Sequence, residues 1–132
     1  MMTVEDTLKL KRFPIVVQSG CRNINRIHPL KQKQVDRIHK ACANYYEIKR
    51  VYIFGSAATA LCNVDSDLDI CIDADMSDGL RIYEMQKEFG EACDWNCDMI
   101  MYGHLGARLK KTVDEQGVVI YEQPFSESRG RY

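Results

Sequence analysis

Phe54-Gly55-Ser56-Ala57-Ala58-Thr59-Ala60-Leu61-Cys62-Asn63-Val64-Asp65-Ser66-Asp67-Leu68-Asp69 is the stretch on which the fold turns. It opens where the apolar run Val51-Tyr52-Ile53-Phe54, of strand type, is stopped by Gly55-Ser56. It closes inside a second strand, where Leu68, Ile70 and Ile72 alternate with Asp69, Cys71 and Asp73. That alternation packs one face and leaves the other partly polar. Asp67 and Asp69 are two apart, so on a strand both side chains point to the same face. Two carboxylates there repel each other unless something neutralises them. A divalent cation does so, and hard oxygen ligands suit magnesium. Asp98 lies between Cys97 and Met99 in a third predicted strand over 97–102, where an acid is costly to bury without a partner. If the two strands are neighbours, Asp67, Asp69 and Asp98 converge. Gly55-Ser56 stands between a strand and the small-residue stretch 57–61, which reads as the first turns of a short helix. Glycine lets the backbone approach closely, while the serine hydroxyl and free N–H groups donate to phosphate oxygens. Phosphates above metal-bridging carboxylates are the setting for in-line displacement at phosphorus with two ions.

Working outward, a helix is predicted over 29–47, with Val35, Ile38, Cys42, Tyr45 and Ile48 on its apolar side. Its other side carries Lys31, Lys33, Arg37 and Lys40, which read as a solvated face or as a surface for RNA or another anionic partner. Ser77 is the expected N-cap of a helix over 78–92, with Leu80, Tyr83 and Met85 as its packed side. A helix over 105–116 ends at Gly117, and a last strand covers 118–121. Residues 13–17 read as a short strand and Ser19-Gly20 as a turn. Residues 1–28 are therefore set apart as an N-terminal extension, 29–122 as the domain and 123–132 as a polar tail. The order of elements predicts an α/β (α+β) domain, a small mixed β-sheet with flanking helices.

The 132 residues, 45% hydrophobic and 28% charged, fit one globular domain and exclude a low-complexity or fibrous chain. No apolar run is long enough to span a membrane and no signal core opens the chain, so a cytoplasmic location is expected. Six cysteines without a signal peptide read as reduced thiols, and their spacing does not favour zinc. The net charge of −1 argues against a general polyanion binder. It hides an asymmetry: up to Arg50 there are eleven basic and four acidic residues, and beyond it seven basic and fifteen acidic.

Gly-Ser, ten residues, then Asp-x-Asp, with a third Asp one strand later, resembles the signature of the nucleotidyltransferase superfamily that includes DNA polymerase beta. The small chain looks like its minimal members over about 51–121. The resemblance implies transfer of a nucleoside monophosphate, usually AMP from ATP or another nucleoside triphosphate, to a hydroxyl, with release of pyrophosphate. It implies that Gly55 and Ser56 hold the β- and γ-phosphates. Asp67 and Asp69 match ligands shared by two Mg2+ ions. Asp98 matches the acid that binds the catalytic ion alone and helps to activate the attacking hydroxyl. Ser66 also fits the pattern, as a nucleotide-binding position. The chain departs from minimal members at Ala57-Ala58-Thr59, where they often carry arginines; Arg108, Lys110 and Lys111 are the alternative cations, or else a solvated helix end. Minimal members are often encoded beside a helical HEPN-domain partner, as antitoxins that can adenylylate a tyrosine of that toxin. The competing expectations are a catalytically weak antitoxin acting by contact, and an antibiotic-modifying nucleotidyltransferase. A nucleic acid acceptor is not indicated. Tyr45, Tyr46 and Trp95 read as packing rather than base-stacking residues, Asp65 and Asp75 as solvated acids; Asp73 and His104 are left unassigned.

Overall fold

A computed structural model describes residue 21 and residues 23–59, 62–63 and 65–123 of the chain. The strand expected over 13–17, the Ser19-Gly20 turn and the tail beyond 123 lie outside the described residues.

Four strands form one mixed sheet: β1 (Ile48–Phe54), β2 (Leu68–Ala74), β3 (Cys97–Met101) and β4 (Val118–Glu122). Their order is β3-β2-β1-β4. β1 runs antiparallel to both β2 and β4, whereas β2 and β3 are parallel. Among the described residues three α-helices accompany them: α1 (Gln32–Ala41), α2 (Gly79–Ala92) and α3 (Ala107–Gln116). A parallel pair needs a crossover connection, and α2 is that connection between β2 and β3. The α+β class expected from the sequence is the class observed.

The two faces of the sheet are covered unequally. Val51, Ile53, Leu68, Ile70, Ile72 and Ile120 are buried on one face, in a cluster with Val35 and Ile38 of α1 and Met85 and Phe89 of α2. Strand alternation turns Tyr52 and Cys71 to the other face, where Val113 of α3 meets them in a much smaller cluster. Cys97 and Met99 pack on the first cluster. By the same alternation Asp69 and Asp98 belong to the second, less covered face.

The helix expected over 29–47 is three pieces: a 3₁₀ turn Pro29–Lys31, then α1, then a 3₁₀ turn Cys42–Asn44. Its apolar side is as read, since Val35, Ile38, Cys42, Tyr45 and Ile48 are all buried. Its basic side is not uniform. Lys33, Arg37 and Lys40 are exposed, but Lys31 is only 2% exposed. The chain just before this helix is laced to the core: Cys21, Ile27 and His28 are buried, and the Gln32 amide donates to the carbonyls of Ile24 (3.1 Å) and Ile27 (2.9 Å).

Helix α2 departs from expectation twice. Asp78, not Ser77, is its N-cap, and its carboxylate accepts from the N–H groups of Leu80 (2.9 Å) and Arg81 (3.4 Å). Its buried side is Met85, Phe89 and Gly90. Leu80 and Tyr83 are 66% and 62% exposed. At 3.6 residues per turn they sit about 140° and 160° around the helix from Met85, so the phase that buries Met85 and Phe89 turns them outward.

Arg81 ties α2 to the turn before β1. Its Nε donates to Glu47 Oε2 (2.8 Å), its Nη2 to the Asn44 carbonyl (2.9 Å), and its guanidinium lies 4.6 Å from the centre of the Tyr45 ring. The Arg81 hydrogen bond holds the Glu47 carboxyl below its ordinary range. A depressed carboxylate stabilises the fold above its ordinary pKa, and that contribution is lost as pH falls through the depressed value. Arg81→Met is therefore expected to lower stability at pH 7 only slightly, because the pair is largely screened by solvent. The difference should shrink in urea unfolding once Glu47 is protonated, leaving the part that Asn44 and Tyr45 contribute.

Candidate active site

At the end of β1 the chain must turn sharply, and Gly55 does so with φ +71°, a left-handed conformation that only glycine adopts without strain. The turn that follows, Gly55–Ala58, is a four-residue 3₁₀ turn rather than a short helix over 57–61; residues 60 and 61 lie outside the described residues. Thr59 closes it, its N–H and its Oγ1 both donating to the Ser56 carbonyl at 2.9 Å. Ala57 is buried, and its carbonyl accepts from the His28 N–H at 2.8 Å. The phosphate-facing N–H groups expected here belong to a tight turn held from below, not to a helix end.

The same end of the sheet carries the acids. Phe54 is the register partner of Asp69 on the antiparallel side, and Asp98 is its partner on the parallel side. A Cβ built on Gly55 would collide with Asp69 Oδ2 and stand 3.1 Å from its Cγ, so the bare Gly55 Cα is what lets the carboxylate lie there. Asp67 is exposed one residue ahead of β2, and Asp98 is exposed on β3. The Asp69 carboxyl is raised above its ordinary range, first by burial, then by the charges of Asp98 and Asp67. Asp69 thus lies within electrostatic reach of both other aspartates. Among the described residues, however, no three His, Cys, Asp or Glu side chains are gathered into a group fit to hold one metal ion. Asp69 and Asp98 are brought side by side, while Asp67 stands off at the strand entrance.

Two neighbours shape that entrance. Ser66 Oγ accepts from the Asn63 N–H at 3.0 Å, so its hydroxyl closes the loop before Asp67. Asn96 grips both sides of Asp67: its side-chain amide donates to the Ser66 carbonyl (3.2 Å) and its carbonyl accepts from the Leu68 N–H (3.0 Å). The sequence offered a faint sign of Asn96, a polar residue directly before a predicted strand. Behind it, Asp94 and Trp95 both have positive φ, 55° and 61°.

The remaining candidates separate by position. Asp73 lies four residues along β2 from Asp69, about 13 Å away. His104 follows the far end of β3 and is exposed. Asp65 is exposed, and Asp75, also exposed, lines a different cavity of about 330 Å³ at the opposite end of the sheet, with Glu47, Met76 and Arg81. Lys110 sits 4.8 Å above the Tyr102 ring, Lys111 pairs with Glu115 at 4.0 Å, and Arg108 is exposed. Tyr45 is buried with its hydroxyl on Glu88 (2.8 Å), Trp95 lies over Gly90, and Tyr46 is 72% exposed.

Comparison with known proteins bears on this arrangement. No curated protein matches the chain. Among solved structures, it is similar to one described as a toxin-antitoxin with AMP-PNP, at 22% identity and a TM-score of 0.58, over 72% of this chain and 78% of that one. A second is the toxin-antitoxin MntA-HepT, at 20% identity and a TM-score of 0.52, over 76% and 77% of the two chains. A third is a tri-AMPylated Shewanella oneidensis HEPN toxin in complex with MNT antitoxin, at 22% identity and a TM-score of 0.54, over 76% and 77%. At these identities the likeness speaks for the fold. The family model for polymerase beta nucleotidyltransferases matches residues 36–125, which include Gly55, Ser56, Asp67, Asp69 and Asp98, and the chain belongs to that family.

Proposed function

We propose that the protein transfers AMP from ATP to a hydroxyl on a HEPN-type partner protein, a tyrosine being the acceptor, and releases pyrophosphate. The observation that carries this reading is the contact of Gly55 with Asp69 beside Asp98, a tight turn set directly against paired carboxylates. The partner is suggested by the HEPN toxin found with the similar fold.

By donor type, though not by their present spacing, the three aspartates suit magnesium. Their donors are hard carboxylate oxygens, and burial, followed by the charges of Asp98 and Asp67, raises the Asp69 carboxyl, a penalty that a divalent cation offsets. Asp67 and Asp69 would hold both ions and Asp98 one of them. When bound, the ions supply charge stabilisation of the attacking and leaving oxygens. The chain's own part is to bind and orient. Ser56 and the N–H groups of the Gly55–Ala58 turn receive the β- and γ-phosphates, which leaves the α-phosphorus over Asp69 and Asp98. The acceptor oxygen bonds to that phosphorus, the bond to the β-phosphate oxygen breaks, and Asp98 draws the hydroxyl proton.

The test is incubation with ATP, magnesium and a candidate HEPN-type protein, followed by intact-mass measurement. Wild type should add AMP units to the partner, whereas a variant with Asp67→Ala and Asp69→Ala should add none. If wild type releases no pyrophosphate and leaves the partner unmodified, the enzyme reading fails. Partner binding kept by the variant would then identify an antitoxin that acts by contact.

A further inference from the structure

We propose that Asn96 is a positioning residue for the transfer reaction, one that fixes the backbone of Asp67 before any ion binds; this rests on the nucleotidyl-transfer reading of the aspartates. Asp67 is the acid with the least support of its own. Asp69 and Asp98 lie within paired strands, but β2 begins only at Leu68, so Asp67 stands just ahead of the ladder. The loop that delivers it is closed on itself. The Ser66 N–H donates to the Asn63 carbonyl (3.1 Å), the Asn63 N–H to Ser66 Oγ (3.0 Å) and the Asp65 N–H to Asn63 Oδ1 (2.9 Å). All three bonds stay within residues 63–66 and shape the loop without fixing it to the sheet.

Asn96 supplies the tie to the sheet. β3 starts at Cys97, in parallel register with Leu68, and the bond from the Leu68 N–H to the Asn96 carbonyl (3.0 Å) holds the peptide that follows Asp67. Ahead of Asn96 the backbone leaves the sheet, because Asp94 and Trp95 are left-handed. The Asn96 side chain takes over where backbone pairing stops. Its amide donates to the Ser66 carbonyl at 3.2 Å and so holds the peptide that precedes Asp67.

The turn that presents Asn96 is itself anchored. The Trp95 N–H donates to the Gly90 carbonyl (2.7 Å) and the Asn96 N–H to the Cys93 carbonyl (3.1 Å). The Trp95 ring lies so close over Gly90 that a Cβ there would collide with it. Left-handed backbone is unfavourable for residues that carry a Cβ, and these contacts hold it in place. Residues 96–98 therefore set both outer acids at once, Asp98 through its own backbone and Asp67 through the Asn96 amide. A carboxylate on a fixed backbone has only its side-chain torsions left to order when it takes up an ion, which is how preorganisation raises affinity.

The experiment compares wild type with Asn96→Leu, close in size but without the donor, with Asn96→Ala in case the leucine variant does not fold. Asn96→His is run beside them, since its ring Nδ1 stands as far along the side chain as the asparagine amide nitrogen; at pH 8 that ring is neutral. The melting midpoint is followed as magnesium is added without nucleotide. Transfer from ATP to the candidate HEPN-type protein is then measured as kcat and KM across magnesium concentrations. Loss of the donor is expected to raise the magnesium concentration for half of the midpoint shift, and for half-maximal transfer, by about tenfold. Saturating magnesium should return kcat to the wild-type value, and Asn96→His should keep the wild-type magnesium dependence. A residue that serves stability alone would lower the midpoint without magnesium and leave the magnesium dependence where it was. Two results overturn the proposal: a magnesium dependence unchanged by loss of the donor, or a loss that Asn96→His shares. A wild type that responds to magnesium in neither assay would instead overturn the nucleotidyl-transfer reading itself.

Discussion

Asp69→Asn is expected to abolish nucleotidyl transfer, by about a thousandfold or more, while leaving the fold intact or more stable. Asp69 is the one acid that touches both other parts of the site, lying between Gly55 and Asp98. Removing preorganised charge stabilisation at a displaced oxygen costs roughly 10²–10³ in rate for a single donor, and here a ligand for both ions goes with it. The stability side follows from the raised carboxyl. A raised folded-state pKa contributes stability below the ordinary value, and that contribution is lost as pH rises through the raised one. At pH 7 the ionised Asp69 therefore detracts from stability, and asparagine removes the penalty without changing the shape. Melting curves at pH 7 should show the variant at or above wild type. Added magnesium should raise the wild-type midpoint and leave that of the variant in place. A wild type whose midpoint magnesium does not move would count against ion binding at the aspartates.

Gly55→Ala is expected to damage both stability and activity, and more severely than its single methyl suggests. The left-handed conformation at φ +71° costs an L-residue about 1–2 kcal/mol. The new Cβ must also displace the Asp69 carboxylate, which overlaps its position. Displacement of a reacting group by about 1 Å can lower a rate by two orders of magnitude. The variant should unfold at lower urea concentration and transfer label at least about a hundredfold more slowly. Serine at the same position should behave as alanine does, because the obstacle is the Cβ. A variant with normal activity would mean that Asp69 moves freely and is not held by the turn.

The two variants also show which parts of the site were legible. The strand-ending Gly55-Ser56 and the pair Asp67 and Asp69 are local features, readable because strand alternation and turn chemistry act over a few residues. Asp98 was readable as an acid out of place among apolar neighbours, and its partnership with Asp69 depended on the order of strands. The parallel β2–β3 pair supplied that partnership. What escaped the sequence is what depends on packing phase. Leu80 and Tyr83 look apolar enough for the core, but Met85 and Phe89 decide which side of α2 faces the sheet. Ser77 and Asp78 are both good caps, and only the geometry of the first turn chooses Asp78. Lys31 reads as one member of a basic face together with Lys33, Arg37 and Lys40. Helical spacing places it otherwise, four and seven residues before Val35 and Ile38, so it shares their buried side. Asn96 matters through two hydrogen bonds to residues thirty positions earlier, a relation no local pattern encodes.

The crossover between β2 and β3 has a consequence for how the protein comes into being. Asp69 leaves the ribosome well before Asp98, and the two meet only when α2 has folded back and β3 has docked. Parallel pairings of this kind are non-local and close late. The encounter of like charges therefore requires α2 to have brought β3 back beside β2, with Met85 and Phe89 on the apolar face. A chain caught before that step carries its acids apart, with neither the repulsion nor the chemistry. A local opening that lifts β3 from β2 would part Asp69 from Asp98.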